Sequence, residues 1–156
     1  IMPLVWATHP QARLALVGAN PTADVLALAG DRIEVTGFVS DEALARRYRH
    51  ARVAVVPLRY GAGVKSKVVE ALQQGLPLVT TTVGAQGLPG VVAACSVADD
   101  VDGIAAGIVR LLNDDAAWLR CSRDGSAYAS AHFSADAMRL DLLSALAIDA
   151  RTEHGA

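Results

Sequence analysis

The chain has few aromatic residues and few cysteines. Only 4% of its 156 residues are aromatic, and its two cysteines, Cys95 and Cys121, have neither a paired nor a metal-like spacing. This usage argues against a disulfide framework or a zinc site and is typical of buried free thiols in a reducing cytoplasm. With 53% hydrophobic residues, many of them Ala and Val, the composition favours a layered parallel α/β fold over a β-sandwich.

A large charge of either sign and a long apolar run are also absent. The formal net charge is -2, so the chain offers no broad attraction to nucleic acid or to an anionic membrane. No stretch of the sequence approaches the ~20 apolar residues of a membrane span, and no basic-then-apolar signal opens it. We therefore expect a soluble, cytoplasmic protein that binds anions only through locally placed cations.

The most informative stretch is residues 53–75, VAVVPLRYGAGVKSKVVEALQQG. Its first four residues are apolar without polar alternation, which predicts a strand buried on both faces in a parallel sheet. Pro57 ends that strand because it has no N–H to donate. A glycine loop then leads into a helix, which Gly75 and Pro77 close.

This unit places anion-binding groups at the start of a helix. Gly61 and Gly63 allow the backbone to approach a ligand closely, and the helix N-terminus favours negative charge. Lys65 and Lys67 add two cations, which predicts a phosphate or diphosphate ligand. Because helical side chains lean toward the N-terminus, the Glu70 carboxylate can reach back and accept hydrogen bonds from a ribose diol.

The same residues allow a plainer interpretation. A strand, a glycine loop and a capped helix occur in every βαβ unit, and Lys67 with Glu70 has the spacing of an ordinary surface pair. The loop is not a Walker loop and lacks the third glycine of a dinucleotide fingerprint. The four histidines have no partner constellation and no serine lies in a nucleophile elbow, so we identify no catalytic residue and no metal ligand.

The flanking segments predict further strands and helices. Strands are expected over residues 13–17, 33–39, 78–81 and 91–97. Helices are expected up to about residue 8 and over 22–29, 41–50, 103–113, 116–130 and 133–148, with Ser40 or Asp41 as one cap. We expect one domain over residues 1–148 and a disordered tail over 149–156.

Several single residues have two interpretations. Gly18 and Gly84 follow predicted strands, where backbone amides can meet a ligand at the carboxyl edge of a parallel sheet. Phe38 lies near the end of another predicted strand, and by residue type alone it is more often a core residue. Trp6 is expected to pack on the sheet rather than to stack on a base.

Two clusters of like charge also have two interpretations. Three acids precede the predicted helix at 103, where capping explains them better than a metal site: Asp99, Asp100 and Asp102. Four arginines form a local basic run: Arg46, Arg47, Arg49 and Arg52. The run is expected to be a solvated helix face, although a membrane surface or a partner domain would also suit it.

The stretch PLRYGAGVKSKVVEALQQGLPLVTTTVGAQGL resembles the nucleotide-sugar half of group 1 retaining glycosyltransferases, the GT4-type enzymes with the GT-B fold. The resemblance implies that Glu70 holds the donor ribose and that the loop from Gly61 to Lys67 lies against the diphosphate and sugar. It also implies that the segment with Gly37 and Phe38 borders the base. Many members carry a second glutamate where this chain has Ala62.

The resemblance further implies a Rossmann-like, doubly wound parallel sheet and a reaction. A hexose would pass from a UDP- or GDP-sugar to a glycan or lipid-linked acceptor in polysaccharide biosynthesis, with retention and without a cofactor or obligatory metal. The acceptor domain of such enzymes is N-terminal and is not in this chain, so we expect binding without turnover from the chain alone. A membrane-surface acceptor is compatible with this reading.

The family's first strand would precede Ile1, and it is central in the sheet order 3-2-1-4-5-6. Without it we expect a gap or two exposed strand edges, through which the chain would associate with itself or with another segment. Two other functions are alternatives: a non-catalytic nucleotide-binding or scaffold module, and a sugar-nucleotide epimerase of GT-B shape.

Overall fold

The computed structural model describes residues 1–152, except for the side chains at 141, 145 and 147–152. Helices and short parallel strands alternate along it, which confirms the α/β class. The helices are α1 Met2–Thr8, α2 Ala23–Leu26, α3 Asp41–His50, α4 Ser66–Gln73, α5 Val101–Asn113, α6 Asp115–Phe133 and α7 Ala135–Thr152. The strands are β1 Leu14–Val17, β2 Ile33–Gly37, β3 Ala54–Val56, β4 Leu78–Thr80 and β5 Ser96–Val97.

The strands form two parallel ladders. β1 pairs with β2, and β3, β4 and β5 form a three-stranded sheet in that order. Within residues 1–152 no ladder joins the two sets, so β1 and β3 each keep one edge without a strand partner. Among the described residues the β1-β2 ladder is therefore separate from the β3-β4-β5 sheet.

The core lies on both faces of the three-stranded sheet. Neighbouring residues of β4 point to opposite faces: Leu78 belongs to the cluster formed with α4 and α6, and Val79 to the cluster formed with α1 and α5. Both side chains are fully buried. Burying a side chain of this size contributes roughly 1.5–3 kcal/mol. β4 is thus the central strand around which the helices pack.

The predicted strand over 91–97 is wrong in its first half. Residues Val91–Ala93 form a 3₁₀ turn instead, and only Ser96–Val97 pair with β4. Gly90 enters the turn with φ +78°, and Val91 is fully buried in the α4/α6 cluster. The apolar run therefore reflects burial against helices rather than membership of a ladder, which periodicity alone does not distinguish.

Other boundaries differ in smaller ways. α2 ends at Leu26 because the amides of Leu28 and Ala29 bond to carbonyls three residues earlier, which tightens the last turn. Trp6 is half-buried: its indole donates to the Ala12 carbonyl at 2.9 Å, and the Arg32 guanidinium lies 4.0 Å from the ring centre. α7 runs to Thr152, and the rest of the predicted tail lies outside the described residues.

None of the helices in the described part of the chain combines the length and the apolarity needed to cross a membrane.

Candidate functional site

The loop that follows β3 is fixed at its base by two threonines at the carboxyl end of β4, the last residue of the strand and the residue after it. Thr80 donates its hydroxyl to the Val56 carbonyl at 2.8 Å, and Thr81 donates to the Leu58 carbonyl at 2.6 Å. Both threonines are buried. The backbone leaving β3 is therefore held to the carboxyl end of β4, the edge where ligands of parallel sheets bind.

Gly61 and Gly63 give this loop its shape. Their φ angles are +131° and +71°, in the left-handed region that favours glycine. The Lys65 ammonium donates to the Gly63 carbonyl at 2.6 Å and so closes the loop on itself. An ammonium has three donors, so two remain for a ligand. The loop is exposed, with Ala62 at its tip.

The loop leads directly into α4. Lys65 occupies the N-cap position without a side-chain cap, so the first amides of the helix have no side-chain partner there. Lys67 lies in the first turn and is exposed. Among the described side chains the ion pairs all involve arginine, and no ion pair joins Lys67 to Glu70.

Glu70 is bound by a residue that sequence reasoning missed. The Tyr48 hydroxyl on α3 donates to Glu70 Oε2 at 3.1 Å. Burial, together with the charge and hydrogen bond of Glu70, raises the pKa of Tyr48 to about 12, so the phenol is a neutral donor at physiological pH. Glu70 lies about 7.5 Å along the helix axis from Lys65, given a rise of about 1.5 Å per residue.

Gly18, Gly37 and Phe38 meet at the carboxyl ends of the other ladder. The Gly18 amide donates to the Gly37 carbonyl at 3.3 Å. Phe38 is 81% exposed, so the core interpretation is wrong. An apolar ring this open to solvent at the carboxyl edge is available to a planar ligand group.

Gly84 shapes the loop after β4 rather than opening toward a ligand. It is buried, and its amide donates to the Thr81 hydroxyl at 3.1 Å. A Cβ on Gly84 would lie 1.9 Å from Thr80 Oγ1. The absent side chain therefore leaves room for the threonine that anchors β3.

Two residues of the acidic cluster, Asp99 and Asp100, accept hydrogen bonds from backbone amides. Asp100 accepts from the Gly103 amide at 2.6 Å, as expected for an N-cap. Asp99 instead accepts from the amide and hydroxyl of Thr82. No group of three or more metal-binding side chains is found in the part of the chain that the structure describes.

The basic run on α3 and beyond is largely paired. Arg46 pairs with Glu42, Arg52 with Asp115, and Arg47 contacts both oxygens of Glu34. These pairs fit the solvated-face interpretation. The hydrogen bond from Arg47 lowers the pKa of Glu34 below its ordinary value.

Two open cavities lie at opposite ends of the strands. One, of about 410 Å³, is at the carboxyl ends of β3 and β4, between Arg59 and Asp99. The other, of about 440 Å³, is at the amino ends, between His9 and Arg52. Glu70 and the Gly61–Lys67 loop line neither of these two cavities.

No curated protein matches the chain. The solved structure of sucrose-phosphate synthase from Thermosynechococcus elongatus is similar, with a TM-score of 0.71 and 27% sequence identity. That match covers 96% of this chain but only 42% of the synthase chain. Residues 1–114 match the family described as glycosyl transferases group 1. The chain therefore belongs to the group 1 glycosyl transferases, and its parallel α/β structure resembles their GT-B fold.

Proposed function

We propose that this chain is the donor domain of a glycosyltransferase and binds a nucleoside-diphosphate sugar at the carboxyl ends of its strands. The observation that carries the proposal is the Gly61–Glu70 unit. A positive-φ glycine loop opens there onto a helix N-terminus, with two lysines at that end and a carboxylate farther along. Phosphates bind at helix N-termini, and carboxylates accept from diols.

Each group has a distinct role in this proposal. Lys65 and Lys67 neutralise the charge that develops on the leaving diphosphate, and the backbone at Gly61 and Gly63 approaches it closely. Glu70 binds the ribose hydroxyls. Phe38 contacts the base through its exposed ring, beside Gly37.

The complete GT4-type enzyme would transfer a hexose, with retention and without a metal or cofactor, to a glycan or lipid-linked acceptor in the cytoplasm. An N-terminal acceptor domain would supply the other wall of the site. Because we identify no base or nucleophile here, the chain alone would bind the donor without turning it over. Product formation by this chain, with a nucleotide sugar and any acceptor, would contradict that division of roles.

Calorimetry with UDP, GDP and ADP tests the donor site. We expect one nucleoside diphosphate to be preferred and its affinity to fall about 10- to 100-fold in Glu70→Gln, since a hydrogen bond to a charged group contributes about 1.5–3 kcal/mol. Glu42→Gln is the matched control, because Glu42 is an exposed glutamate on α3 that pairs with Arg46. If none of the three nucleotides binds, or if both variants behave alike, the proposed site is wrong.

A further inference from the structure

Tyr48 donates a hydrogen bond to Glu70, the carboxylate that binds the ribose in the proposed donor site. Its hydroxyl lies 3.1 Å from Glu70 Oε2, and no other side-chain hydrogen bond to Glu70 is found among the described residues. We propose that Tyr48 is a positioning residue, which holds the Glu70 carboxylate in the orientation that accepts the ribose hydroxyls. The inference rests on the proposed donor site.

The position of Tyr48 is fixed by the packing of its ring and by its helix. Its ring packs against the cluster that contains Val56, Val68 and Leu72, beneath β3 and α4. Its helix, α3, begins at a capped end, where Ser40 accepts from the Ala43 amide. The hydroxyl is therefore presented from a packed ring on one helix to a carboxylate on the next.

Tyr48 occupies one of the roughly four lone-pair sites of the Glu70 carboxylate, which leaves acceptor sites on both oxygens for the ribose hydroxyls. Oε2 accepts from Tyr48, and Oε1 accepts no hydrogen bond from the side chains and backbone groups that the structure describes. A glutamate side chain loses rotamer entropy when it is fixed. Because the hydrogen bond from Tyr48 already fixes the Glu70 side chain in the folded chain, this entropy is not lost again when the ligand binds. Because the phenol is neutral, it orients Glu70 without cancelling the negative charge that a ribose hydroxyl would meet.

The test compares two ligands on Tyr48→Phe, which keeps the ring and removes only the hydroxyl. The ligands are the preferred nucleoside diphosphate among UDP, GDP and ADP, and its 2′,3′-dideoxy analogue. We expect the first to bind about three- to tenfold more weakly than to the unmodified chain, as for the loss of one indirect hydrogen bond, and the second to bind unchanged. In Glu70→Gln, adding Tyr48→Phe should change neither affinity.

Tyr128→Phe is the matched control, because Tyr128 donates its hydroxyl to the Pro89 carbonyl and not to Glu70. Equal weakening of both ligands in Tyr48→Phe would show a general structural role, and no weakening would show no role. Either result overturns the positioning inference while donor binding stands. If no nucleoside diphosphate binds the unmodified chain, the donor site fails, and the role of Tyr48 fails with it.

Discussion

At the scale of single residues, the candidate site depends on hydrogen bonds from side chains that are not expected to touch the ligand. Thr80 and Thr81 fix the exit of β3 through its carbonyls, and Gly84 makes room for Thr80. Tyr48 donates a hydrogen bond to Glu70 from another helix. These hydrogen bonds join elements that are distant in sequence, so local sequence patterns do not predict them.

Gly84→Ala should destabilise the fold by about 1–3 kcal/mol, the usual cost of overpacking. The new Cβ would lie 1.9 Å from Thr80 Oγ1 and 3.3 Å from the Val56 carbonyl oxygen, so the threonine must leave its hydrogen bond. Urea denaturation measures the free energy of unfolding. Gly30→Ala is the control, because nothing lies within 4 Å of its added Cβ. Equal unfolding free energies for the two variants would contradict the close approach.

Cys95 should make stability depend on pH above neutrality. Burial, and then the charge of Cys121, raises its pKa from 9.0 to about 11. The folded chain keeps this proton where the unfolded chain loses it, so the stabilisation is complete below pH 9 and is lost as pH rises to about 11. Urea titrations of Cys95→Ala should show a flatter decline between about pH 9 and 11 than those of Cys121→Ala. An identical decline would contradict the shifted pKa.

At the scale of elements, local signals predicted α3 and α4 well and β5 poorly. Ser40 caps α3 as expected, and α4 lies between its glycine loop and Gly75. Such caps and turns depend on neighbouring residues, so sequence reveals them. The apolar run over 91–97 predicts a strand, yet Val91 is buried because it packs with α4 and α6. The Gly61–Glu70 motif was found from sequence, but Tyr48 is 22 residues from Glu70 and was not.

Asp100→Ala should destabilise the chain by about 0.5–2 kcal/mol, the cost of losing an N-cap. Asp100 accepts from the Gly103 amide, and α5 packs through Ile104 and Ile108 into the core. Thermal and urea unfolding measure the loss. Asp102→Ala is the control, because Asp102 lies in the first turn and does not occupy the cap. A larger effect at Asp102 than at Asp100 would contradict the capping role.

At the scale of the whole molecule, packing is complete around β4 and incomplete at the strand edges. Helices cover both faces of the β3-β4-β5 sheet, whereas β1 and β3 each have an edge without a strand partner among the described residues. Unpaired edges present N–H and C=O groups that can template further pairing. The expectation of self-association from sequence is therefore still a prediction.

The chain should form a dimer or larger species as its concentration rises. Ala15→Lys should reduce this association, because Ala15 is exposed in β1 and a lysine on an edge strand blocks edge pairing. Size-exclusion chromatography with light scattering over a concentration series measures both chains. A clean monomer of the unmodified chain at the highest concentration would count against association through these edges.

The most direct test of donor binding is amide chemical-shift mapping with the preferred nucleoside diphosphate. We expect the perturbed amides to cluster at the carboxyl ends of the strands, at Gly37, Phe38, the Gly61–Lys67 loop and Glu70. Perturbations confined to the opposite cavity between His9 and Arg52 would contradict it, as would a spectrum that the nucleotide leaves unchanged.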